Sequence, residues 1–304
     1  METKLVAEKA DQMVYEGEGG AYYAWTPSKS PLLSESKLGA GKLLLHPLGF
    51  AFPHFFDSSK IAYVLQAQVV GEMGYFFLAG AQGMLRGFQS DIVAKLFDLN
   101  NKVGEDLIKS QPGSLIVKLR NGIEFPKPTE DFKEKVYAAI DTPRADVVVK
   151  GGGIINSLTE KEFPVLVGMG LSARFVRLKG KAMLAPSYVA DGTGRVIYVA
   201  KGSGRIRVVG KRGKPSFDDG VEEGELIVLP QFLATAVIAD EGGMELFFVV
   251  NSSKPTFEQL VGNVSVWKAL SSVVLQSVLN ISPELEQLFK EKNTKSLMII
   301  PPRN

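Results

Sequence analysis

The chain has 304 residues, 45% of them hydrophobic and 22% charged, and its 35 basic and 33 acidic side chains leave a net charge of +2. That balance gives no field of the kind that draws nucleic acid or an anionic membrane surface, and no apolar run approaches the roughly 18 residues of a membrane span. Cysteine is absent and histidine occurs only at His46 and His54, which excludes disulfides, thiolate metal sites, cysteine nucleophiles and any metal held by three imidazoles of one chain.

The amino terminus, Met1–Asp11, has no apolar stretch of the secretory type, so a soluble chain without a secretion signal is expected. Further along, one pattern occurs twice. Leu78-Ala79-Gly80, Leu85, Phe88, Ser90–Ala94 and Leu96 recur 182 positions later as Leu260-Val261-Gly262, Trp267, Leu270, Ser272–Gln276 and Val278. Ile61–Leu65 and Val196–Ala200 form a second pair, 135 positions apart. Two copies of one unit suit a chain of this length, and the unequal offsets imply that the first copy lacks about 47 residues near 67–70. Loss of several strands from a closed β-structure would leave open edges, so Ala67–Val70 is expected to mark a junction where residues are missing from the sequence.

In chain order, Ser90–Phe97 and Val103–Lys109 have helical spacing, and a segment rich in turn formers and charge follows, so 121–135 reads as a linker between domains at 1–120 and 136–304. The second copy is dominated by short β-rich runs: Arg174–Leu178, Arg195–Ala200, Arg205–Val209, Glu225–Leu229 and Leu246–Val250. Gly151-Gly152-Gly153 and Gly202-Ser203-Gly204 read as tight turns, Gly210–Lys214 as a hairpin tip, and Asp218-Asp219 with Glu222-Glu223 as a solvated hairpin end. Ser271–Leu279 and Pro283–Lys290 return to helical spacing, with Ser282-Pro283-Glu284 as a start signal.

Two glycine-anchored signatures lie in the second copy. Pro186-Ser187-Tyr188 is followed by Arg195, then six residues and Gly202; Gly224 is followed by five residues, then Pro230–Thr235. These spacings resemble the two cupin motifs, whose full forms bring three histidines and a glutamate to one metal. Arg195 stands at the glutamate position and Thr235 near the last histidine, and a cation there repels a divalent ion, so neither a metal nor another cofactor is expected. In the first copy Pro53-His54-Phe55 aligns with Pro186-Ser187-Tyr188, and Lys60 with Arg195.

Ile140–Val147, Ile155-Asn156-Ser157-Leu158, Phe163–Leu166, Leu171-Ser172-Ala173 and Val261–Leu270 together resemble the basic half of the legumin-like 11S seed globulins. The resemblance implies an all-β fold with appended helices: two cupin jelly-roll barrels, each followed by a helical arm. It implies a nutrient reservoir of seeds without catalytic activity, assembled as homo-trimers or hexamers through those arms, in the protein storage vacuole; without a visible signal, the cytoplasm is the alternative. Asn121-Gly122 lies about where that family is processed, and an ordinary turn is the alternative there. The disulfide joining the two halves in that family has no counterpart here.

A second function remains open. A barrel without a metal could hold a small aromatic carboxylate such as the plant hormone auxin, with Pro186, Tyr188, Arg195 and Thr235 lining the second barrel and Phe55 and Lys60 the first. For Arg195 the alternatives are a solvated rim position or an ion pair. A germin-like metalloenzyme is a third, weaker reading.

Overall fold

The computed structural model describes residues 4–56, 58–64, 68–70, 75–77, 79–80, 83–111, 113–123, 129–130, 138–140, 145–210, 213–262, 265–292 and 298–302. The chain forms two compact units, one of Ala10–Thr129 and one of Met1–Lys9 with Glu130–Asn304. The first residues therefore do not join the copy that follows them in sequence. Strand β1 (Ala7–Glu8) pairs antiparallel with Leu226 and Ile227 of the second unit, and Lys9 reaches Glu222 at 2.6 Å.

In the first unit, β2 (Gln12–Gly17), β3 (Gly20–Trp25), β4 (Ala40–Leu45), β7 (Ile61–Tyr63) and β8 (Gln68–Val70) form a sheet in the order β2-β3-β4-β8-β7. Two smaller ladders accompany it: β5 (Gly49–Ala51) with β10 (Ile116–Lys118), and β6 (His54–Phe56) with β9 (Tyr75–Phe77). A helical arm follows, made of a 3-10 turn (Met84–Gly87) and the helices Ser90–Leu96 and Asn101–Lys109. Its second helix starts two residues before Val103 because the Asn100 side chain accepts the Val103 N–H at 2.9 Å, satisfying one of the free donors of the first turn.

The second unit contains β11 (Val147–Val149), β12 (Gly153–Leu158), β13 (Ser172–Leu178), β14 (Met183–Val189), β15 (Arg195–Val209), β16 (Pro215–Glu222), β17 (Leu226–Leu229), β18 (Ala234–Val250), β19 (Phe257–Gln259) and β20 (Ile299–Ile300). The main sheet runs β1-β17-β15-β18-β13-β12-β11, all antiparallel; β14 pairs with β18, β19 and β20, and β16 with β15. Phe175, Ile197, Leu229 and Leu246 are fully buried in this core. The helices Val266–Ala269, Ser272–Leu279 and Pro283–Lys292 form its arm.

Three sequence expectations are corrected here. Arg195–Ala200 and Arg205–Val209 are one strand, because the glycines between them absorb register shifts at Val199/Lys201 and Gly202/Gly204 instead of turning the chain. Gly202-Ser203-Gly204 is thus a bulged strand, whereas Gly151-Gly152-Gly153 does turn, with the Gly152 N–H donating to Val149 at 2.9 Å. Asp218 and Asp219 lie inside β16, not at a hairpin end, and the Asp218 carboxylate accepts from Arg205 at 2.7 Å and lies 3.2 Å from Arg207 Nη1 as an ion pair.

The register makes the repeat explicit. In the first unit Ala40 pairs with Val70 and Val70 with Ile61; in the second, Ala173 pairs with Val249 and Val249 with Val196. His54 faces Phe77 as Ser187 faces Gln259. Gly20 and Gly153 share a φ of +144° at the start of equivalent strands, where a Cβ would stand 2.0 Å from the Leu44 carbonyl oxygen and 1.9 Å from that of Arg177. Only glycine permits that approach in either copy.

Between the equivalent strands the copies diverge. β15 and β18 are separated by β16 and β17, and β17 covers the free edge of β15; β7 and β8 follow one another directly, and among the described residues β7 is the outermost strand of its sheet. The connection at 65–67 lies outside the described residues. From the unequal repeat offsets we propose that strands are missing between β7 and β8. Intact protein from its natural source should therefore weigh more than 33.0 kDa. A measured mass equal to that of this sequence would remove the expectation.

Candidate functional site inside the second barrel

β15 begins with Arg195, whose neighbours on either side are Leu229 and Val250. The side chain is 3% exposed. Its Nη2 donates to the Ser187 carbonyl at 3.2 Å, the Leu233 carbonyl at 3.0 Å and the Thr235 hydroxyl at 2.7 Å. Thr235, 2% exposed, faces Ser187 across the β14–β18 ladder, so the register of those strands delivers the acceptors. All three are neutral. Among the described residues no carboxylate pairs with Arg195, so neither the solvated rim nor the ion pair describes it.

Two residues further along the same ladders, Arg174 lies opposite Phe248, which lies opposite Ile197; Ser172 lies opposite Val250, which lies opposite Arg195. A spacing of two residues puts both rungs on one face of the sheet. The Arg174 guanidinium lies 3.4 Å above the centre of the Phe257 ring, and its Nε donates to the Ser157 hydroxyl at 3.2 Å. The Ser172 hydroxyl on those ladders and Gln259 Oε1, opposite Ser187 on the β14–β19 ladder, are buried without a hydrogen-bond partner among the described residues.

Burial pushes both guanidinium groups down to about 10; for Arg195 the positive charge of Arg174 adds to the effect, while Asp146 opposes it at Arg174. Both remain protonated at neutral pH. Between about 10 and the ordinary guanidinium range the unfolded chain binds the extra protons, so the folded state gains stability as pH rises through that window. Asp146 thus offsets part of the charge at Arg174, whereas no carboxylate among the described residues does so at Arg195.

A family model for cupins matches residues 138–287. A 13S globulin seed storage protein of Fagopyrum tataricum is 34% identical over 182 residues, covering 57% of this chain and 32% of that protein. Procruciferin, the 11S globulin of Brassica napus, superposes with a TM-score of 0.89 at 19% identity, over 99% of this chain and 97% of that one. An 11S globulin from Wrightia tinctoria whose structure reveals an auxin binding site gives a TM-score of 0.87 at 18% identity, over 98% and 95% of the two chains. Residues 138–287 are thus a cupin domain, and the chain is similar to the legumin-like seed globulins. It spans about half or less of the length of the curated relatives it matches.

Of the motif residues of the second barrel, the structure brings Arg195 and Thr235 together, whereas Pro186 and Tyr188 alternate with Ser187 along β14 and fall on its other face. Arg195 bonds to Thr235 directly and to the backbone of Ser187, which separates Pro186 from Tyr188 in β14. Pro186 contributes its carbonyl to Leu260 at 3.0 Å, and Tyr188 pairs with Glu258. In the other barrel Lys60 directly precedes β7, as its alignment with Arg195 requires, and burial lowers its ammonium below the usual lysine value. Phe55 lies in β6, its side chain outside the described residues. The His54 Nδ1 is 2.7 Å from the Phe52 carbonyl. Asn121 and Gly122 form an exposed turn, Gly122 with φ +86°.

Sequence reasoning missed Arg174, Ser172, Phe257 and Gln259. One signal was present: in Ser172–Leu178 the alternate positions Arg174, Val176 and Leu178 share a face, and the latter two are apolar. Because Thr235 supplies the shortest of three acceptors to a buried cation, Thr235→Val should lower stability by about 1–3 kcal/mol. Chemical denaturation reads this out, with the β-sheet circular dichroism unchanged.

Proposed function

We propose that this chain is a legumin-like cupin and a non-catalytic seed storage protein, a nutrient reservoir that acts by folding and by assembling with copies of itself in the storage vacuole. The observation that carries the reading is on the two helical arms. Met84, Ile92, Leu96 and Val103 are 46%, 40%, 63% and 43% exposed, and their counterparts Val266, Val274, Val278 and Leu285 are 50%, 44%, 60% and 49% exposed. Each pair is separated by the repeat offset of 182 positions.

Covering an exposed apolar side chain of this size is worth roughly 1.5–3 kcal/mol when it becomes fully buried, so four such positions on each arm favour association. The arms are alike in chemistry but sit on different halves of the chain. A first arm meeting the second arm of a neighbour makes a head-to-tail contact, which satisfies every subunit only when the ring closes. Closure at three subunits would arrange the repeated arms with near-sixfold spacing; a hexamer would pair two such rings. Processing after Asn121, in its exposed turn, accords with the same storage reading.

Leu96→Asp and Val278→Asp place a charge in the centre of each proposed contact. Analytical ultracentrifugation should show wild-type trimers or hexamers and folded monomers of either variant. Assembly unaffected by both substitutions would sink the arm-to-arm contact.

A second reading has its own support. Arg195 is buried without a carboxylate partner among the described residues, and the Wrightia tinctoria relative binds auxin, so the second barrel is proposed to hold a small aromatic carboxylate beside Arg195 and Thr235. Phe55 and Lys60 would serve the first barrel in the same way. The germin-like metalloenzyme is disfavoured by chemistry: a guanidinium stands where the motif needs a carboxylate ligand.

A further inference from the structure

Arg195 uses a single nitrogen, Nη2, for all three of its hydrogen bonds. Its Nε and Nη1 make none among the described residues. Among the described residues Arg174 donates through Nε alone, and its guanidinium stacks on Phe257. Arg195 is buried and Arg174 half-buried; the two cations repel one another, and a buried charge without a counter-charge is costly. A fold that needed only to close its barrel would have no use for either charge. The Ser172 hydroxyl and Gln259 Oε1 repeat the pattern, as buried polar atoms without a hydrogen-bond partner among the described residues. Turned about its last side-chain bond, the Gln259 amide offers N–H donors where its oxygen now stands.

We propose that Arg174 and Arg195 form a two-arginine oxyanion site inside the second barrel, with Ser172 and Gln259 as neutral donors, and that its ligand is a small organic carboxylate. The proposal rests on the ligand-binding reading and sharpens it: the second cation and the two unpartnered groups make the site, instead of Arg195 alone. A carboxylate takes two parallel N–H donors from a guanidinium, which matches the unused edge of Arg195. Organic acid is favoured over inorganic phosphate by the company the arginines keep. Val250 and Phe248 lie between them on the two rungs, Ile197 lies beside Phe248, and Phe257 lies under Arg174, so the groups around the charge suit a carbon skeleton.

Calorimetric titration of the intact chain with acetate, benzoate, indole-3-acetate and inorganic phosphate tests this, against Arg174→Gln, Arg195→Gln, Arg174→Lys and Ser172→Ala. The expected result is binding of the carboxylates, weakened at least about tenfold by either Gln variant and a few-fold by Ser172→Ala, with phosphate weaker. Near-UV circular dichroism identifies any variant that has lost its packing. If Arg174→Gln is such a variant, Arg174→Lys and Ser172→Ala carry the test, because both must still weaken benzoate. Aromatic acids that bind through Arg195 but ignore Arg174 and Ser172 would overturn the two-arginine site and leave the single-arginine reading standing. Phosphate binding in preference to every carboxylate overturns the ligand assignment, and no binding by any probe overturns both.

Discussion

The second unit depends on the pairing of β18 with β13 on one side and β15 on the other. Val249 and Val250 are 2% and 1% exposed, and they lie between Ala173 and Ser172 on one neighbour and Val196 and Arg195 on the other. Because side chains alternate along a strand, this one register decides which residues of three strands face inward. Shifting β15 by a single residue would turn Arg195 outward and send Val196 toward Thr235. The polar cluster is therefore a product of sheet register, and the apolar rungs around it are what hold two cations in place.

Much of this was legible in the sequence. The repeat offsets located equivalent strands, and the ladders Ala40–Val70–Ile61 and Ala173–Val249–Val196 show why: equal positions in a barrel recur at equal places in the pleat. The fusion of Arg195–Ala200 with Arg205–Val209 was not legible, because a glycine that bulges a strand and one that ends it look the same without the partner strand. Arg174 was hidden for a related reason. Arg177, three residues on, pairs outside with Glu245 at 2.8 Å, so the two arginines read as one solvated pattern until the register separates their faces. Gln259 gave no signal at all, since β19 has only three residues.

The two copies have diverged unequally across their surfaces. Their arms keep apolar residues at matching exposed positions, although the particular side chains differ: Met84 against Val266, Ile92 against Val274, Leu96 against Val278. Exposed apolar groups bring no benefit to an isolated chain and invite aggregation, so their repetition on both arms points to a contact that needs both. Inside the barrels the equivalent positions do differ in kind. His54 corresponds to Ser187 and Lys60 to Arg195, so each copy has a cation at the position aligned with the motif's glutamate.

Storage and ligand binding make different demands on that interior, and the arginines separate them. A reservoir needs only a stable, dense assembly, and apolar residues of equal volume at Arg174 and Arg195 would serve stability as well or better, since replacing buried charge by packed hydrocarbon is often neutral or favourable. The folded chain instead keeps both charges below the ordinary guanidinium value, a cost that runs against folding at neutral pH. A negative ligand would reverse its sign: the same two charges that burden the empty barrel would bind an anion and stabilise the loaded one. Assembly through the arms and an anion in the second barrel are thus compatible, because the first uses the outside of the fold and the second uses an interior that storage alone leaves unexplained.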